Sequence, residues 1–99
     1  MRSYELVYIV RPEMTEHELG TIRADIQSQI VALDGTVEKE DAWGRRQLAF
    51  EIKDCTEGIY TCVEAKMPSE GPARLREQLK IDERIIRHQI TMKDLKEKS

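Results

Sequence analysis

Aromatic residues are scarce in this 99-residue chain, which has one Trp, one Phe and three Tyr. A sheet that reads single-stranded RNA by stacking needs about two or three rings on its central strands, so the scarcity argues against that class. Cysteine is scarcer still. Cys55 and Cys62 are too few for a disulfide framework. The six residues between them do not match zinc-ligand spacing, typically about two to four. Two free thiols in a reducing compartment is the expected state. No apolar stretch approaches the ~18 residues of a membrane span, and the N-terminus lacks the pattern of a signal peptide, so a cytoplasmic location is expected. Positive charge is not in excess either. Sixteen Lys and Arg against nineteen Asp and Glu leave a net charge of −3. That excludes coating nucleic acid by bulk electrostatics, which needs a basic footprint. It leaves room for a small basic patch, or for a basic partner that reaches RNA on the chain's behalf.

The most informative run is Trp43-Gly44-Arg45-Arg46-Gln47-Leu48-Ala49-Phe50-Glu51-Ile52. Leu48, Phe50 and Ile52 alternate with Gln47, Ala49 and Glu51, which is the period of a strand with one apolar face. Gly44 precedes it and tolerates the φ > 0 of a turn or bulge. Arg45 and Arg46 then put forked donors suited to phosphate into a segment otherwise rich in acid (Glu38, Glu40, Asp41, Glu51).

Elsewhere the periodicities define a simple order. Tyr4, Leu6, Tyr8 and Val10 form the stronger face of a first strand, closed by Pro12. Thr15 and Glu18 have capping-box spacing, with Met14 and Leu19 at the staple positions. Leu19, Ile22, Ile26, Ile30 and Leu33 then form one stripe of a long helix, which Asp34-Gly35 ends with a Gly suited to the C′ position. Residues 37–52 read as one long strand bulged at Gly44, in preference to two short strands around a turn there. Residues 53–58 are the better turn. The next strand, 59–67, places Ile59, Thr61, Val63, Ala65 and Met67 on one face, with Tyr60, Cys62, Glu64 and Lys66 on the other. Ser69 is expected to cap a second helix with the stripe Leu75 and Leu79, and residues 85–92 form the last strand.

Strand, helix, strand, strand, helix, strand is the βαββαβ order of an α+β, ferredoxin-like fold. It predicts a four-stranded antiparallel sheet in the spatial order four, one, three, two, with both helices on one face. The domain spans residues 1–93, and 94–99 form a charged tail. The expected core is Leu6, Tyr8, Ile26, Ile30, Leu48, Val63, Leu75, Leu79 and Ile90.

Catalytic machinery is not legible. His17 falls in a helix's first turn, which is normally wet. His88 alternates with Ile86 and Ile90, where a structural histidine is the plainer reading. Neither has a partner at motif spacing, so no catalytic, metal or cofactor residues are assigned. The open face of the central strands would show Val7, Ile9, Tyr60 and Cys62, with Tyr60 its only ring. Val7, Ile9 and Tyr60 read as a partner-binding patch, and Trp43 either stacks at an interface or covers the base of the hairpin. Arg2, Arg45, Arg46, Lys80, Arg84 and Arg87 are the candidates for touching phosphates without reading bases. Each can equally pair with a nearby carboxylate.

The run from Gly44 to Ile52 also resembles the Gly-x-Arg-x-Leu-Ala-Tyr-x-Ile segment of the bacterial ribosomal small-subunit protein six family, with Phe50 in place of Tyr. Met1-Arg2-Ser3-Tyr4-Glu5, Arg11-Pro12, Met67-Pro68 and Ile85-Ile86-Arg87-His88 resemble further segments of that family, in order along the chain. Arg2, Tyr4 and Arg46 match its recurring residues, and Gln47 stands where many of its members have another basic residue or a polar one. The resemblance implies a structural component of the bacterial small subunit. It would bind the central domain of small-subunit rRNA together with ribosomal small-subunit protein eighteen, a small basic partner, without cofactor, membrane or small-molecule substrate. Two alternatives have different signatures. A ligand-sensing module of the same fold would be a homodimer. An acylphosphatase-like enzyme would need a phosphate loop with Arg and Asn, and Arg11-Pro12-Glu13-Met14 has no Asn.

Overall fold

The computed structural model describes residues 2–93; the tail expected at 94–99 lies outside them. The elements are β1 (Arg2–Val10), α1 (Glu16–Ala32), β2 (Thr36–Ile52), β3 (Cys55–Met67), α2 (Gly71–Lys80) and β4 (Ile85–Met92). The sheet order is β2-β3-β1-β4, and every neighbouring pair is antiparallel. This is the expected ferredoxin-like α+β fold.

Local chemistry starts and stops α1. The Glu18 amide donates to Thr15 Oγ1 at 3.2 Å, and the Thr15 amide to Glu18 Oε1 at 2.8 Å, so two otherwise orphaned donors are satisfied. At the far end Asp34, not Gly35, takes the left-handed conformation, with φ 66°. The Gly35 amide donates to the Ile30 carbonyl at 2.9 Å and the Asp34 amide to that of Val31 at 3.0 Å, the bonding of a Schellman cap. Gly35 serves close packing instead, since a Cβ there would lie 2.8 Å from the Lys66 carbonyl oxygen. The capping role expected of Ser69 is also corrected. Glu70 is the N-cap, without a side-chain bond, and Pro72 stands in the first turn. The Ser69 hydroxyl faces the Glu70 carboxylate at 3.4 Å.

Ile22, Ile26 and Ile30 of α1 and Leu75 and Leu79 of α2 pack with Tyr4, Leu6, Tyr8, Val10, Val63, Ala65 and Met67 in the main core, and Ile90 packs against it partly buried. Leu48 does not join them. It belongs to a second cluster of Ile9, Cys55 and Ile86, walled by Leu48, Ile52 and Tyr60.

The bulges of β2 create that second cluster. Its register against β3 shifts between Val37 and Lys39, between Ala42 and Gly44, and between Gln47 and Ile52. Gly44 takes φ 87° at the second shift, the bulge expected there. Each one-residue slip exchanges the faces of the residues beyond it. The third shift lets residues 48–51 leave the plain ladder and lean over the sheet. The turn expected over 53–58 is only Lys53-Asp54, both with positive φ (49° and 65°). β3 therefore begins at Cys55, earlier than the apolar pattern indicated.

Candidate RNA and partner interface

The face of the sheet turned away from the helices is laid out in rows. Gly44, Tyr60, Ile9 and Arg87 share one row, and Asp41, Cys62, Val7 and Gln89 share the next. Lys39, Glu64, Glu5 and Thr91 follow. The first row carries Tyr60 and Arg87, and the acidic groups Asp41, Glu64 and Glu5 lie beyond it, where Lys39 pairs with Asp41 at 3.7 Å.

Ile9 is 5% exposed, so the expectation that it stands outside the core is corrected. Residues 48–52 fold over it, leaving a shallow groove of about 230 Å³ lined by Val7, Ile9, Leu48, Phe50, Ile52, Tyr60, Arg87 and Gln89. Val7 and Tyr60 are half-buried, whereas Phe50 stands 67% exposed at the rim. The strand period alone did not reveal this wall. The signal for Gln89 was present, since it alternates with His88 and so shares a face with Arg87.

Trp43 is the residue displaced by the Gly44 bulge. Its ring stacks on Tyr60, with centroids 6.4 Å apart and planes 17° from parallel. The Arg46 guanidinium lies 5.7 Å from the Trp43 ring centre, a cation–π distance. Tyr60, expected to be the only ring of the open face, is thus joined by Trp43, with Phe50 at the rim of the groove.

The candidate cations separate into groups. Arg46 and Arg87 are exposed on the open face. Arg45 points the other way, pairing with Glu57 at 3.2 Å and donating to the Pro12 carbonyl at 3.0 Å. Arg84 is enclosed by carboxylates, at 2.7 Å from Asp82 and 3.0 Å from Asp25, and its backbone amide also donates to Asp82. These bonds hold the Asp82 carboxyl below its ordinary range and raise Arg84 further. That guanidinium is committed to joining α1 to the start of β4. Lys80 is exposed at the end of α2. Arg2 lies at the far end of β1, its Nη1 3.5 Å from Met92 Sδ.

At the acidic end, burial and a 3.4 Å hydrogen bond to Glu5 push the Cys62 thiol up to about 11. It is held protonated and is a poor nucleophile. Glu64 is drawn down by a 2.9 Å pair with Lys93. Among the described residues no cluster of His, Cys, Asp and Glu forms a metal site, and no helix is long and apolar enough to cross a membrane.

Comparison with known proteins decides what kind of chain carries this surface. The family model described as Ribosomal protein S6 matches residues 3–92. The chain belongs to the ribosomal protein S6 family. This S6-family chain is 40% identical over 92 residues to small ribosomal subunit protein bS6 of Clostridioides difficile, covering 93% of the chain and 99% of that protein. It is 34% identical over 97 residues to bS6 of Dictyoglomus turgidum, covering 98% and 100%. The crystal structure of 30S ribosomal protein S6 from Thermotoga maritima superposes with a TM-score of 0.87 at 27% identity, covering 93% of this chain and 87% of that one. A ribosomal protein of the small subunit is a structural component rather than a member of an enzyme class, and in a bacterium its place is the cytoplasm.

Proposed function

We propose that this S6-family chain binds the central domain of small-subunit rRNA jointly with a small basic partner, ribosomal small-subunit protein eighteen. The observation that carries the reading is the open face itself, where an apolar groove lies between two exposed arginines, Arg46 and Arg87, on a chain of net charge −3. Net negative charge opposes approach to RNA, and two cations offset little of it. A basic protein docked beside Val7 and Tyr60 would supply the missing charge. Arg46 and Arg87 would then contact phosphates at the joint edge and position the pair without reading bases.

Each ligand must then strengthen the binding of the other by the same factor. The test is titration of a central-domain rRNA fragment with the chain alone, the partner alone and both. The expected result is weak binding alone and at least about tenfold tighter binding of the chain when the partner is present, in the range of ordinary coupling. Val7→Asp should weaken the partner complex while circular dichroism stays unchanged, because Val7 is only half-buried. Ile9→Asp is unsuitable, since it places a charge inside the second cluster. Equal affinity for RNA with and without the partner would overturn joint binding.

A further inference from the structure

Trp43 and Tyr60 are nearly parallel, yet their centroids are 6.4 Å apart. Face-to-face contact brings carbon atoms to about 3.5–4 Å, so the rings are offset and neither covers the other completely. Trp43 accordingly remains 43% exposed. The Gly44 bulge builds this arrangement by inserting Trp43 opposite no residue of β3, between Ala42, paired with Thr61, and Gly44, paired with Tyr60. Arg46 stands over one ring, and Arg87 ends the row that contains the other.

We propose that Trp43 and Tyr60 form a stacking platform for an unpaired RNA base, with Arg46 and Arg87 holding the phosphates on either side of it. The assignment rests on the reading that the chain binds rRNA, and it adds base stacking to a contact otherwise made through phosphates. Every nucleobase has a π-face, so such a platform selects for unpaired strands rather than for sequence. The charge pattern favours RNA over an arginine of the basic partner. An incoming guanidinium would be repelled by Arg46 above Trp43, whereas a nucleotide brings a phosphate that attracts both arginines and can draw the exposed Arg46 off the ring as the base takes its place. Val7, Leu48 and Ile52 of the groove remain available to the partner, whereas Tyr60 and Arg87, which also line it, face the RNA.

Trp43 is the only tryptophan of the chain, so its intrinsic fluorescence reports on the platform directly. The full chain is titrated at low salt with a single-stranded RNA of mixed sequence and, separately, with the same strand annealed to its complement. Binding is followed in parallel by anisotropy of end-labelled RNA. The expected result is quenching of Trp43 by the single strand and little by the duplex. Trp43→Leu should lower single-strand affinity about 5- to 150-fold, the usual value of one stacked base, and Trp43→Phe should restore most of it. Arg46→Gln, an exposed change, should weaken binding and leave circular dichroism unaltered. Absence of single-strand binding, binding without quenching, equal quenching by duplex, or quenching by the basic partner in place of RNA would each overturn the platform. Sedimentation of the chain and partner with the central-domain fragment separates the two readings. If joint assembly persists while Trp43 is unquenched, the platform fails and joint binding stands; if assembly is lost as well, both fail.

Discussion

The second cluster puts the open face under a steric constraint that one methyl group can test. Gly58 lies opposite Arg46 in the β2–β3 ladder, beneath the apolar wall. A Cβ placed on Gly58 would overlap the Ile9 Cγ2 methyl and lie 3.4 Å from Ile86 Cδ1 and 3.5 Å from the Val10 carbonyl oxygen. Ile9 cannot swing that methyl away cheaply, because a β-branched side chain is stiff at χ1 and Ile9 is packed against Cys55 and Ile86. Gly58→Ala should therefore destabilise the fold by about 1–3 kcal/mol through overpacking, offset by at most about 1 kcal/mol from the stiffer unfolded chain. Ile9→Ala alone removes the methyl and leaves a cavity, at a cost of about 2–5 kcal/mol. In the double variant the new methyl occupies part of that cavity, so the combined loss should fall short of the sum by roughly 0.5–3 kcal/mol. Urea unfolding of the four proteins gives this coupling directly, with midpoints shifting at nearly constant m. Strict additivity, or a Gly58→Ala protein as stable as the parent, would refute the contact between Gly58 and Ile9.

The arginines should divide under mutation. Arg46→Gln with Arg87→Gln should flatten the salt dependence of joint RNA binding by roughly 0.7–0.9 in log–log slope per lost phosphate contact, with little change in stability; an unchanged slope returns both to ordinary surface charge. Arg84→Gln should instead unfold at lower denaturant, because it leaves Asp82 and Asp25 without their shared cation, and an unaltered midpoint would dismiss that network. Acid should remove stability in stages. His88 is held below its ordinary value of 6.5 by burial and by Arg76, Lys53 and Lys80, so the unfolded chain gains protons first as pH falls past that value and stability declines. Asp82 is held below its ordinary 3.8 chiefly by Arg84; its contribution is present above that value and is lost as pH falls through the lower folded-state pKa. Asp82→Asn should remove the second stage from a plot of urea midpoint against pH, and its persistence would place the acid sensitivity elsewhere.

Much of this protein follows from short-range pattern. The Thr15–Glu18 cap, the Ile22-Ile26-Ile30 stripe, the β1 alternation and the element order depend on residues close in sequence, and they lead to one sheet topology because crossover handedness and connection length leave few alternatives. The glycine of the β2 bulge and the family resemblance were legible for the same reason. The open face was not. Whether Leu48 joins the main core or a second one depends on the number of register shifts β2 accumulates against β3, which is a property of two strands together. That count also brings Trp43 to Tyr60 and roofs Ile9. Likewise the arginines are chemically alike in sequence, and only their neighbours separate them. Arg84 is closed in by Asp25, which lies 59 residues away in the chain, and Arg45 is turned toward Glu57 and Pro12, while Arg46 and Arg87 remain exposed on opposite edge strands of one face. A charge can act on a partner only where the fold leaves it unspent, and pairing across such distances is decided in three dimensions.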